Sequence, residues 1–149
     1  MAQTYVCSAT RMRVRGLRVL PGFFRNSLAS MTAARSTPGV ARVRLLGMPP
    51  FPVYFTLTVW ESEQAMRDFV KTPAHRVAMS HMADYARVGH FARFTSETPR
   101  VGWRRAWREL RTPAGVWTQE GDAPQPQSGA REKSSSTRKR ARGGSSPMS

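Results

Sequence analysis

The chain has 149 residues, 40% of them hydrophobic with four Trp and seven Phe, which is enough for one domain with a modest core. A formal charge of +15 would ordinarily draw nucleic acid or an anionic surface. Only Lys71, Lys133 and Lys139 are lysines, however, and an excess made almost wholly of arginine fits the bias a GC-rich genome imposes. The lone Cys7 excludes an internal disulfide and Cys-rich zinc patterns, and is expected to be a small buried residue on a strand. MAQTYVCSATRMRVRG lacks an apolar leader core, and no apolar run approaches the ~20 residues that span a bilayer, so the expectation is a soluble cytoplasmic protein.

A first strand is expected over about Tyr5 to Val14, with Val6, Met12 and Val14 on one side and Cys7, Arg11 and Arg13 on the other. Pro21 suits the first turn of a helix whose stripe is Leu20, Phe24, Leu28 and Met31, ended by Thr37-Pro38-Gly39. VARVRLLGM then alternates, as does YFTLTVW, and the Pro-rich loop between them predicts a hairpin. Ser62 is placed to cap the next helix, with Glu63 in its first turn and Ala65, Met66, Phe69 and Val70 buried. Thr72-Pro73 interrupts and restarts it, and the continuation carries His75, Ala78, Met79, Met82 and Ala86 on one stripe. A last strand follows at about His90 to Thr95. Beyond Pro99, Val101, Trp103, Trp107 and Leu110 share helical spacing, which suggests a terminal helix acting as a lid or brace.

From Pro113 onward Gly, Pro, Gln and Ser dominate, so residues 1–112 are read as the folded domain and 113–149 as a disordered basic tail. Its Arg138–Arg142 run, RKRAR, is the one segment that suggests nucleic acid or another acidic polymer. The order strand, helix, strand, strand, helix, strand is ferredoxin-like α+β: a four-stranded antiparallel sheet with helices on one face. The other face would be an exposed patch carrying Tyr and Trp, and burying it between two copies predicts a homodimer forming an α/β barrel.

The segment Tyr54 to Met79, YFTLTVWESEQAMRDFVKTPAHRVAM, preceded by a helix and the turn TPG, resembles the antibiotic-biosynthesis-monooxygenase-like proteins of the dimeric α/β-barrel superfamily. It is also similar to spheroidene-monooxygenase-related proteins, in which strand, Trp, acidic-Ser-Glu, helix, His-Arg-x-Ala-Met recurs. The resemblance covers about residues 5–97. It implies a monooxygenase-like protein acting on an aromatic or polyene small molecule, with no cofactor firmly implied. Haem-degrading relatives use a Trp, a His and an Asn where this chain has Phe69, Met79 and no Asn between Tyr5 and Val14. That mechanism is disfavoured, while haem binding through another residue stays open.

Two residues are candidates for proton transfer. His75 shares a stripe with Met79 and Met82, and Tyr54 begins the third strand. Tyr54, Thr56, Thr58 and Trp60 have one parity on that strand, and Phe55, Leu57 and Val59 the other. The wholly apolar set is expected to pack on the helices, leaving Thr56 and Thr58 to bind substrate on the open face together with Trp60, Met79 and Met82. The same hydroxyls suit an interface equally well. Arg11, Arg13, Arg42, Arg44 and Arg93 would clamp an anion if their parities converged, and otherwise serve as exposed strand arginines. Three function classes remain open at this level: an oxygenase without tightly bound flavin, a non-catalytic dimeric ligand-binding module, and a nucleic-acid-associated protein.

Overall fold

The computed structural model describes residues 2–118. Five strands form one antiparallel sheet in the order β2-β3-β1-β4-β5: β1 Tyr5–Val14, β2 Val40–Leu46, β3 Val53–Trp60, β4 Ala86–Ser96 and β5 Gly115–Thr118. The first four have ferredoxin-like order, and the sheet is open within the chain. The fifth strand, on the free edge of β4, is an addition to the four expected. It lies past residue 112, so the sheet reaches Thr118, while the RKRAR segment lies outside the described residues.

Helix α1 (Leu20–Ser36) has Pro21 in its first turn and ends where Pro38 forces Thr37 into extended geometry. Gly39 then turns the chain at φ +87°, a value side chains resist, and a Cβ there would lie 2.7 Å from that of Ala65. The stripe of α1 differs from the expected one. Phe23 and Ala34 are buried beside Leu20 and Met31, whereas Leu28 is 52% exposed. The helix lies with its 20–23–31–34 line on the sheet, which rotates Leu28 to solvent.

Helix α2 (Glu63–Val70) begins at Ser62, whose Oγ accepts from the Ala65 amide at 3.1 Å. It buries Ala65, Met66 and Phe69, and Val70 is exposed, contrary to expectation. Helix α3 (Pro73–Ser80) starts at Thr72. The Thr72 hydroxyl donates to the Phe69 carbonyl at 2.7 Å and accepts from the His75 amide at 3.4 Å, tying the end of one helix to the start of the next. A short turn, α4 (Met82–Tyr85), follows, and Ala86 opens β4 instead of extending the helix, so that strand starts four residues before His90.

The two faces of the sheet are covered by different layers. Val6, Met12, Tyr54, Trp60 and Phe91 face α1 to α4. Cys7, Ala9, Leu57, Val59, Ala92 and Phe94 face helix α5 (Trp103–Leu110), whose Ala106 and Leu110, with the preceding Val101, complete that core. This reverses the expected assignment. The wholly apolar parity of β3 packs under α5, and the hydroxyl-bearing parity faces the α1–α4 layer. The face expected to need a second copy is already roofed by the chain's own terminal helix.

Candidate functional site

A cavity of about 230 Å³ lies between the sheet and helices α1 and α3, inside one polypeptide. Its floor is the polar parity of the central strands: Ser8 and Thr10 of β1, Thr56 and Thr58 of β3 and Arg93 of β4. The hydroxyls of Thr10 and Thr56 are hydrogen bonded to each other. Trp60 Nε1 donates to Thr58 Oγ1 at 3.0 Å. With that lone pair occupied, the Thr58 proton is free to be donated into the cavity.

The opposite wall is an aromatic series. Phe69 stacks on Trp60 at 5.2 Å between ring centroids, and His75 lies against Phe69 at 4.6 Å. Among the described residues no hydrogen bond reaches the His75 ring nitrogens, and burial lowers the pKa of the imidazole. The ring is therefore neutral at neutral pH, with one nitrogen able to accept a proton. Met12, Met31, Met66, Met79 and Met82 fill the remaining apolar wall, and flexible thioethers let such a wall adapt to ligand shape.

Of the residues singled out from the sequence, Thr56, Thr58, Trp60, His75, Met79 and Met82 line this one cavity. Tyr54 does not. It is 1% exposed within the cluster of Phe23 and Phe24, and its hydroxyl is buried without a partner. Burial raises its pKa, which keeps the proton on the phenol and makes it a poor acceptor. The expected location on the uncovered side of the sheet is also replaced: the chamber is on the α1–α3 side. The arginines divide between the two faces, four to one. Arg11, Arg13, Arg42 and Arg44 share the α5 face, while Arg93 faces the cavity and lies 3.6 Å from Glu63.

Sequence reasoning passed over Ser8 and Thr10, and also Asn26, Ser27 and Ser30 on the inner side of α1, all of which line the cavity. The signal was available: hydroxyl and amide residues recurring on an otherwise buried parity or stripe mark a space that packing alone would have filled with apolar side chains. Cys7 is fully buried and its thiol is pushed up to about 11, chiefly by burial against the opposing pull of Arg105, so it is no nucleophile. Among the described residues no group of three or more His, Cys, Asp or Glu is placed to hold a metal ion, and no helix is long and apolar enough to cross a membrane.

The family model for antibiotic biosynthesis monooxygenase matches residues 22–80, the span from α1 through α3. No curated protein matches the chain. Among solved structures, a mutant form of SnoaB from Streptomyces nogalater, a cofactor-independent oxygenase, superposes with a TM-score of 0.53 at 19% identity, covering 63% of this chain and 94% of that one. A protein from Bacteroides thetaiotaomicron named for the same family gives 0.58 at 15% identity, covering 68% and 98%. A third, from Nitrosomonas europaea, gives 0.55 at 12% identity, covering 64% and 92%. At these identities the superpositions establish the fold. Together with the family match they lead to one conclusion: the chain has the fold of these structures, and its residues 22–80 are similar to the antibiotic biosynthesis monooxygenase family.

Proposed function

We propose that the protein is a monooxygenase that oxidises a small aromatic substrate in the cavity between its sheet and α1–α3, without a bound flavin or metal. The observation that carries this reading is the His75 imidazole, kept neutral by burial, against Phe69 and free of hydrogen bonds from the described residues, in an apolar chamber whose floor presents threonine hydroxyls. His75 takes a proton from an activated C–H of the substrate, and Thr56 and Thr58 hold the oxygen on which negative charge accumulates. The electron-rich carbanion reduces dioxygen and joins it as a peroxide. His75 returns its proton to the peroxide, and the O–O bond and the remaining C–H bond of that CH₂ carbon then break together, releasing water and leaving a carbonyl. One oxygen atom thus ends in the product and the other in water, with all four electrons supplied by the substrate.

A cavity of about 230 Å³ suits one or two fused rings, since pockets for larger drug-sized ligands run to ~300–1,000 Å³. A macrocycle of haem size would require α3 to separate from the sheet. The homodimer stays in the proposal, supported by the exposed Leu46, Met48 and Phe51 around the β2–β3 hairpin, but the chamber does not depend on it. The deciding experiment is oxygen uptake with an anthrone-type substrate. Uptake by the wild type that is lost in His75→Ala supports the oxygenase. Binding of the same compound without uptake assigns the protein to non-catalytic ligand binding.

A further inference from the structure

A second, separate groove lies on the other side of the sheet, under the C-terminal end of α5. One cross-strand row builds its floor: Phe55 of β3 is opposite Arg11 of β1, and Arg11 is opposite His90 of β4. Trp107, Leu110 and Arg111 form its other wall. The groove offers about 490 Å³ and opens to solvent.

Three features make it more than a surface dent. Among the described residues no salt bridge engages Arg11 or Arg111, and no carboxylate lines the groove. His90 Nδ1 is buried there without a hydrogen-bond partner, an arrangement that in a folded protein calls for a ligand or water. The apolar part is flat and ring-bearing: Phe55 meets Trp107 edge-on at 6.1 Å, and Trp107 is 43% exposed. Arg13, Arg42 and Arg44 on the same face add positive potential.

From this juxtaposition we infer that the groove is a second binding site, distinct from the oxidation chamber, for an aromatic carboxylate. The guanidinium groups of Arg11 and Arg111 take the carboxylate, His90 Nδ1 donates to it in the tautomer that protonates that nitrogen, and the ring lies against Trp107 and Leu110. The chemistry follows from the donor set. Planar guanidinium forks match a carboxylate in two-point geometry, and an apolar shelf beside them selects an acid with a ring over a bare anion. A bare phosphate lacks an apolar body to cover Trp107 and Leu110.

The test is calorimetric titration of the full chain with naphthalene-2-carboxylate at fixed ionic strength, repeated with Arg11→Gln, Arg111→Gln and His75→Ala. The expected result is saturable binding at one site per chain, weakened about tenfold or more by either arginine exchange and unchanged by His75→Ala. Neutral naphthalene-2-carboxamide should bind at least tenfold more weakly. Arg111 is at an exposed helix end, so its exchange reads the site even where Arg11→Gln perturbs the sheet. Four outcomes would overturn the inference: no binding by the wild type, equal affinity for the carboxamide, displacement by equimolar inorganic phosphate or a short oligonucleotide, or loss of binding in His75→Ala alone. Because His75 lines only the first cavity, failure of this site leaves the oxidation proposal standing, and the reverse holds too.

Discussion

His75 and Phe69 belong to different helices, yet their rings lie 4.6 Å apart, because the Thr72 hydroxyl joins the last carbonyl of α2's buried turn to the first turn of α3. A cap that closes one helix and opens the next thus sets the position of the one unpartnered imidazole in the chamber. Replacing His75 by Ala should lower oxygen uptake by about 10²–10⁴-fold, the usual range for loss of a general base. Circular dichroism should be unchanged. His75→Gln, which keeps bulk and polarity but cannot accept the proton at neutral pH, should be equally inactive.

Burial lowers the pKa of His75, and burial together with Arg11 lowers that of His90. Both groups bind protons more readily in the unfolded chain than in the folded one. Stability should therefore be full above the ordinary histidine value of 6.5, decline as pH falls through that value toward the folded pKa values, and level off below them. Urea midpoints measured from pH 7.5 downward should show this loss, and the His75→Gln, His90→Gln double variant should flatten it. The acid limb of kcat/KM should likewise fall with its midpoint below 6.5.

Thr58→Val removes the acceptor of the Trp60 indole N–H inside the core. An orphaned buried donor costs about 1–3 kcal/mol, which urea unfolding will read directly. Thr58→Ser should restore most of the stability, since it retains the oxygen. A drop in affinity for substrate that accompanies Thr58→Val and is repaired by Ser would tie the hydroxyl to orientation as well.

Gly39→Ala meets two obstacles at once, a φ of +87° and an Ala65 Cβ only 2.7 Å from the added atom. Destabilisation of about 1–3 kcal/mol is expected. The effect should be transmitted to the start of α2, because Ala65 is the residue whose amide Ser62 caps.

Ending the chain at residue 118 should leave the denaturation midpoint of the full chain unchanged. Ending it at 112 removes β5 and frees the edge of β4 that pairs with it, from Val88 to Phe91. Bare edges promote association, so the shorter chain should show concentration-dependent scattering that the longer one lacks. Leu110→Ala, at a position 8% exposed against the sheet, should cost about 2–4 kcal/mol in either background.

Periodicity and caps made most of the fold legible in the sequence. Ser62, Thr72 and Pro73 marked helix starts that the structure contains, and the alternation of YFTLTVW gave both the strand and its two faces. What alternation cannot give is which face meets which layer. That depended on α5, whose Ala106 and Leu110, with the preceding Val101, compete for the apolar parity and win it because Phe55, Leu57 and Val59 expose no polar atom to be left unpaired. The hydroxyl-bearing parity then went to the α1–α3 side, where a gap rather than packing satisfies it. His75 and Met79 of α3 and Met82 of α4 line the same cavity, as their shared spacing suggested, but Tyr54 was drawn into aromatic packing with Phe23 and Phe24, a long-range preference no local pattern records.

With the far side of the sheet covered by the chain's own terminal helix, the cavity on the α1–α3 side is lined by residues of a single polypeptide. Under the proposed oxidation, assembly and turnover should then be separable. Dilution that lowers the scattering mass should leave oxygen uptake per chain unchanged.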